Sequence, residues 1–233
     1  MEYPKINSLW KRQGWYFEDG KKNSPEYQAG RQSFIIGDYA EPEFGNIKKW
    51  RVDEKIDGTN VRIVFSRAQS GGQTLFDGWS TGVTYLGRTE NAQMPTHLLA
   101  YLQSTLTKEC IGKAFPEATD VILFGEGYGP KIQAGGGNYR SDAGFILFDV
   151  FVGGWWLKWE DVTEIAHKLG IPHSPHLGIM TEEEIVEFVK SKPLSRCSVI
   201  PQMMEGVIAR ADPLVLFRNG KPVKWKLKCK EFT

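Results

Sequence analysis

Lys55-Ile56-Asp57-Gly58-Thr59-Asn60 is the stretch on which the reading of this chain turns. A lysine stands two residues before an acid, a glycine follows, and small polar residues come after. Residues 50–54, Trp-Arg-Val-Asp-Glu, and residues 61–67, Val-Arg-Ile-Val-Phe-Ser-Arg, have the alternation of two β-strands flanking it. Lys55 therefore falls where the first strand gives way to a turn. A lysine amine is ordinarily protonated and cannot attack. Held among other cations or away from water, an amine sheds its proton more readily and becomes a nucleophile for phosphorus or carbonyl centres. Gly58 would let the backbone pass close to a ligand that a Cβ would obstruct. Alone, the string reads equally well as a surface turn carrying a solvated lysine.

The surroundings narrow the choice. A chain of 233 residues with 41% hydrophobic and 24% charged content is expected to form a globular body with a sizeable core. The formal net charge is +1, so any nucleic-acid surface must be a local patch rather than a global field. No apolar run reaches membrane-spanning length and the N-terminus has no signal-peptide pattern, which leads to the expectation of a cytoplasmic, non-membrane protein. Cys110, Cys197 and Cys229 are scattered and odd in number, which argues for a reducing compartment without a disulfide framework. His173 and His176 lie close together, but with no further Cys or His nearby a polar loop is favoured over a metal site.

Along the chain, residues 1–47 are polar and turn-rich, with Trp10, Trp15, Tyr16 and Phe17, and are expected to wrap a single domain covering 1–233. A turn is expected at 69–72 and short strand-like pieces at 74–87. Residues 94–108 have helical spacing, with Leu98, Leu99, Leu102 and Leu106 on one side. Residues 121–124 form a short apolar strand ending at Gly125-Glu126-Gly127, and residues 145–152 read as a second, buried strand. A helix over 160–169 stops at Gly170, and Thr181 with Glu184 makes a capping box ahead of another helix. Strands are expected at 204–210, 214–217 and 223–228, with a hairpin signal at Asn219-Gly220. Strands outnumber helices and the two are interspersed, which predicts an α+β layout with antiparallel pairing.

Five segments place a charged or aromatic residue beside a strand with glycine at hand: 55–60, 86–89 around Arg88, 124–127 around Glu126, 145–150 around Phe148, and Glu205-Gly206-Val207 followed by 223–228. Each has a plain alternative. Arg88 can be a solvated edge residue, Phe148 core, Glu205 the partner of any lysine, and Lys226 and Lys228 outward strand residues. The plain readings do not account for the order and type of the whole set. That order resembles the covalent nucleotidyltransferase superfamily of ATP-dependent DNA and RNA ligases and mRNA capping enzymes. It is most similar to the RNA ligase 2 branch. Residues 55–60 resemble motif I, 86–89 motif Ia, 125–129 motif III, 145–150 (Phe-Ile-Leu-Phe-Asp-Val) motif IIIa, 205–209 motif IV and 225–228 motif V. Gly129-Pro130-Lys131-Ile132-Gln133 and Arg218-Asn219-Gly220 also have counterparts in that branch, so the resemblance runs from about 54 to 232.

The resemblance implies a nucleotidyltransferase (ATP-grasp-like ligase) domain of antiparallel sheets flanked by helices; with only five residues after Lys228, no C-terminal OB domain is expected in this sequence. It implies that Lys55 attacks the α-phosphate of ATP, expels pyrophosphate and forms lysyl-AMP. Lys226 and Lys228, on one face of the last strand, would converge on that phosphate and repel a proton from Lys55. Phe148 would stack on adenine, Glu126 would accept hydrogen bonds from the ribose hydroxyls, and Glu205 would help hold a divalent cation, Mg2+ or Mn2+. Glu54, Asn60 and Arg88 complete the implied nucleotide-binding set. The partner would be RNA with 5′-phosphate and 3′-hydroxyl ends, a nicked duplex being one candidate, and the chain is expected to be a monomer acting in RNA repair. Asp57 stands where the RNA ligase 2 pattern carries histidine; aspartate there is commoner in DNA ligases. A minimal DNA ligase or a guanylyltransferase is the alternative within the class, and a non-catalytic module that binds nucleotides or nucleic-acid ends is the alternative outside it. The run Gly135-Gly136-Gly137 lacks a P-loop pattern and is expected to be a flexible loop that folds over substrate.

Overall fold

The computed structural model describes residues 1–13, 25, 33–67, 82–89 and 91–232. The expected turn at 69–72, the strand-like pieces at 74–81, and Trp15, Tyr16 and Phe17 lie outside the described residues. In chain order the strands are β1 (Asn7–Ser8), β2 (Trp10–Arg12), β3 (Phe34–Tyr39), β4 (Trp50–Lys55), β5 (Thr59–Ser66), β6 (Gly82–Gly87), β7 (Asp120–Tyr128), β8 (Gly144–Val152), β9 (Trp155–Trp156), β10 (His176–Met180), β11 (Gly206–Ala211) and β12 (Lys224–Lys228). The described helices are α1 (Thr96–Thr105), α2 (Lys108–Ala114), α3 (Gly136–Tyr139), α4 (Trp159–Leu169) and α5 (Glu182–Lys190). The chain divides into two compact units. Strands β4 and β5 flank the Lys55 turn but join different sheets: β4 pairs with β10 and β11, β5 with β6 and β7.

The first unit comprises Met1–Pro4, Ile56–Pro175 and Arg196–Gln202. Its sheet runs β6-β5-β7-β8-β9, antiparallel throughout. The two-residue period of a strand sends Val61, Ile63, Phe65, Val121, Leu123, Phe145 and Leu147 into one core, where Leu98, Leu102 and Leu106 meet Val162, Ile165 and Ala166 of α4. The helix expected over 94–108 forms as α1, and α2 follows it. Thr107 breaks the run because its side chain accepts the backbone N–H of Cys110 at 3.2 Å and so starts α2. Leu99 is only half-buried, unlike its three neighbours.

The strand expected to end at Phe124 instead continues to Tyr128. Gly125 and Gly127 make room for neighbours and do not terminate it. A Cβ on Gly125 would stand 2.2 Å from Phe145 Cζ, and one on Gly127 would stand 2.4 Å from Leu98 Cδ2. The glycine run is also packed where a loop was expected: Gly136 is buried at the start of α3, and a Cβ there would lie 2.0 Å from the Gly129 carbonyl oxygen. Gly170 ends α4 in the left-handed conformation, φ 66°, as its position predicts.

The second unit comprises Lys5–Lys55, His176–Ser195 and Met203–Thr233. Its sheet runs β1-β12-β11-β4-β10; β1 is parallel to β12 and the other pairs are antiparallel. Strands β2 and β3 form a separate ladder. Trp50, Val52, Val207, Ala209, Trp225 and Leu227 fill a core with Ile185 and Val189 of α5. Helix α5 begins with the predicted capping box: Thr181 N–H donates to Glu184 Oε2 at 2.8 Å, and Glu184 N–H to Thr181 Oγ1 at 3.3 Å. The strand expected at 214–217 is reduced to the isolated bridge Leu216↔Pro222, flanked by Phe217 N–H donating to Lys221 O and Val223 N–H donating to Val215 O, each at 2.8 Å. The turn at Asn219-Gly220 does form: Gly220 N–H donates to Phe217 O at 2.9 Å with φ 77°.

Candidate active site

In the second unit, three strands stand side by side in fixed register. Gly206 of β11 is opposite Lys55 of β4 and Lys228 of β12, Ile208 is opposite Asp53 and Lys226, and Arg210 is opposite Arg51 and Lys224. The core takes every second residue of these strands, so the remaining face carries Arg51, Asp53, Lys55, Lys224, Lys226, Lys228 and Arg210. Glu205 precedes β11 and bridges two of the amines: Oε2 is 2.5 Å from Lys55 Nζ, and Oε1 is 2.7 Å from Lys228 Nζ. Its backbone is fixed by Cys229 N–H, which donates to Glu205 O at 2.9 Å. Gly206 is required for the close approach of β11 to β12, since a Cβ there would lie 2.1 Å from Leu227 O.

Lys226 is held below the ordinary lysine range, at about 8. Burial is the main cause, and the charges of Lys55 and Lys228 add to it; Glu231 and Glu205 oppose. Glu231 also accepts the Lys228 N–H at 2.8 Å and pairs with Arg12. Three amines, two carboxylates and a partly dry environment make a site for a group bearing several negative oxygens.

Beside this cluster, Asp53 is fully buried and ion-paired with Arg210 at 2.8 Å, with Arg51 at 3.7 Å and His176 Nδ1 at 3.4 Å. A buried carboxylate left alone would be costly, and the two guanidinium groups answer it. Asp53 stands outside the sequence motifs. The signal was the alternation Arg51, Asp53, Lys55 on one face of a strand. Glu54 points to the other face of β4, is buried, and accepts Ser195 Oγ–H at 2.5 Å. Among the described residues there is no group of three or more His, Cys, Asp or Glu arranged to hold a metal. Glu205 is a single carboxylate. That suits magnesium or manganese brought in with phosphates, since Mg2+ commonly takes one or two carboxylates and completes its shell with water and phosphate oxygens.

In the first unit, Asn60 of β5 is directly opposite Glu126 of β7, and both lie on the face that the core does not use. Asn60 Oδ1 is buried and has no hydrogen-bond partner among the described residues. Phe148 of β8 is half-buried on this face, its ring centroid 5.0 Å from that of Tyr3, which stands equally close to Phe124. Tyr3 donates its hydroxyl hydrogen to Asp149. Arg88 is exposed, one residue beyond Gly87, which pairs with Val61 next to Asn60. The close approach that Gly58 permits is to β7: a Cβ there would lie 2.3 Å from Gly127 O and 2.8 Å from Glu126 Cγ. Asp57 N–H donates to the Tyr139 hydroxyl at 3.2 Å, and Gln133 Nε2 donates to Gly58 O at 3.2 Å. Arg62 and Tyr3 were not expected here. Arg62 is fully buried, with Nε donating to Gly87 O at 2.8 Å and Nη1 to Met1 O at 2.7 Å. Nothing in the local pattern separates it from a solvated strand arginine.

Each unit therefore gathers its own set: Lys55, Glu205, Lys226 and Lys228 in one, and Asn60, Glu126 and Phe148 in the other. This α+β layout of antiparallel sheets flanked by helices is a nucleotidyltransferase fold. Solved structures of Naegleria gruberi RNA ligase share it. A mutant with ATP and Mn superposes with TM-score 0.53 at 18% identity, covering 78% of this chain and 49% of that one. The form with PPi gives the same values. Another mutant, with AMP and Mn, gives TM-score 0.54 at 17% identity over 80% of this chain and 52% of that one. The chain spans about half the length of these ligases. No curated protein matches it in sequence. The RNA ligase family model matches residues 48–226, and the chain belongs to that family.

Proposed function

We propose that this chain is an ATP-dependent RNA ligase in which Lys55 carries AMP. The observation that carries the reading is Glu205 holding Lys55 and Lys228 together, beside a Lys226 whose charge is already disfavoured. Such an array gains most when a polyphosphate arrives. The amines of Lys226 and Lys228 then turn to phosphate oxygens, and Lys55 is released to attack. Lys55 Nζ forms the bond to the α-phosphorus of ATP, the bond to the bridging oxygen breaks, pyrophosphate leaves, and the amine gives up a proton. A 5′-phosphate of RNA next attacks the same phosphorus and displaces Lys55. A 3′-hydroxyl then attacks the activated 5′-phosphate and releases AMP. A divalent cation held by Glu205 and the phosphates would offset triphosphate charge. Phe148 is assigned to adenine stacking, Glu126 to the ribose hydroxyls, and Asn60, whose oxygen is buried without a described partner, to the nucleotide. Arg88, exposed at the end of its strand, is assigned to the phosphates or to the RNA 5′-end. Naegleria gruberi RNA ligase, which shares the fold, has been solved with ATP and Mn, with AMP and Mn and with PPi, which supports ATP and a divalent cation as cofactors.

The test is incubation with [α-32P]ATP and magnesium or manganese, followed by denaturing electrophoresis. The wild-type protein becomes covalently labelled and Lys55→Ala does not. A wild-type protein that stays unlabelled with both metals overturns the proposal. Sealing assays on nicked RNA, DNA and hybrid duplexes then separate an RNA from a DNA ligase.

A further inference from the structure

A groove of about 550 Å³ in the second unit is lined by Ser33, Phe34, Ile36, Lys190, Lys192, Glu231 and Phe232. Apart from Glu231, none of these residues belongs to the lysine cluster, and the groove adjoins it. Glu231 lines the groove with one part of its side chain and caps Lys228 N–H with the other at 2.8 Å. The groove thus begins one tight turn, Cys229–Glu231, beyond Lys228.

Its chemistry is that of a single-stranded nucleic-acid subsite. Two half-buried rings, Phe34 and Phe232, lie 5.8 Å apart at an interplanar angle of 38°. Lys190 Nζ stands 5.8 Å from the Phe232 centroid, and Arg12 packs over Phe34 at 4.4 Å. Arg12 neutralises Glu231. Lys190 and Lys192 are exposed, and among the described residues neither has a carboxylate within ion-pair distance, so two positive charges remain unanswered beside an aromatic wall. Aromatic faces take bases of any sequence, and lysines take the intervening phosphates. The volume falls in the range of nucleotide-sized sites, roughly 300–1,000 Å³, and is far too small for a duplex.

We infer that this groove binds an unpaired nucleotide of the RNA strand that is engaged at the lysine cluster. A base would stack on Phe232, and the backbone phosphates would lie on Lys190 and Lys192. The inference rests on the RNA ligase reading and adds a strand-gripping subsite to it.

The probe is a short fluorescein-labelled single-stranded oligoribonucleotide with a 5′-hydroxyl, which cannot accept AMP. Its affinity is read by anisotropy as a function of salt, in parallel with covalent labelling by ATP. In Lys190→Ala/Lys192→Ala, affinity should fall about tenfold and the logarithmic salt slope should shrink by roughly 1.4, as loss of two phosphate contacts on a single strand requires. Phe232→Leu, which keeps apolar volume while losing the flat face, should weaken binding by at least about fivefold with little change in slope. Covalent labelling should be unchanged in both. If wild-type protein is labelled but the double variant binds with unaltered affinity and slope, the groove is not an RNA subsite. If the variants lose labelling together with binding, the effect runs through the lysine cluster and the inference is equally overturned. An unlabelled wild-type protein refutes the ligase reading itself, whatever the binding result.

Discussion

Replacing Lys226 with methionine should make the ligand-free protein more stable while impairing AMP transfer. The ammonium of Lys226 is partly buried and feels the charges of Lys55 and Lys228, which lowers its pKa from 10.5 to about 8. At about 1.4 kcal/mol per pKa unit, that difference corresponds to roughly 3 kcal/mol of strain on the charged form. Partial exposure and salt screening reduce it to about 1–2 kcal/mol. Methionine has a similar length, fills the same volume and removes the charge. The pH dependence follows from where the proton sits. Below pH 8 both folded and unfolded chains carry it, and the folded state bears the full cost. Between 8 and 10.5 the folded state sheds the proton while the unfolded chain retains it, so wild-type stability rises. Above 10.5 the cost is gone. The advantage of Lys226→Met should therefore be about 1–2 kcal/mol at pH 7 and fade towards pH 10.5. Urea unfolding at a series of pH values measures it. Covalent labelling by ATP should fall by roughly 10²–10³-fold, since the proposed mechanism aims this cation at the reacting phosphate. A variant that is less stable than wild type at neutral pH, or whose advantage grows with pH, would refute the reasoning.

Two further outcomes check the remaining parts of the site. Phe148→Ala should weaken nucleotide use by about 1–3 kcal/mol through lost stacking, read as a raised Michaelis constant for ATP in the labelling reaction; unchanged kinetics would remove the stacking role. Gly206→Ala puts a methyl group 2.1 Å from Leu227 O, so β11 must part from β12 and carry Glu205 away from Lys228. Covalent labelling should collapse while α5 and the opposite core persist, and a fully active, equally stable variant would show that the close register is not needed.

The strands around Lys55 were legible because alternation survives in a half-buried sheet, and the capping box at Thr181 because it is local chemistry. The end of β7 was misread for the opposite reason. Glycine in a sequence is a sign of a turn, whereas Gly125 and Gly127 are dictated by Phe145 and Leu98, which come from distant parts of the chain. The helix expected over 94–108 formed as Thr96–Thr105; what the leucine spacing did not show is that the Thr107 hydroxyl starts a second helix directly after it. The strand expected at 214–217 shortens to a single bridge beside the Asn219-Gly220 turn.

The sequence by itself determined the α+β alternation, the nucleophile candidate at Lys55 and the same-face pair Lys226 and Lys228, because each follows from a period or a motif within a few residues. Only the tertiary structure decided that Glu205 would hold Lys55 and Lys228 at once, that Asp53 would be buried between Arg51 and Arg210, and that Glu54 would face away from its neighbour. Those outcomes depend on the register between strands that lie some 150 residues apart, as Lys55 and Glu205 do. A register is set by how the sheet closes on its core, and no stretch of a few residues contains that information.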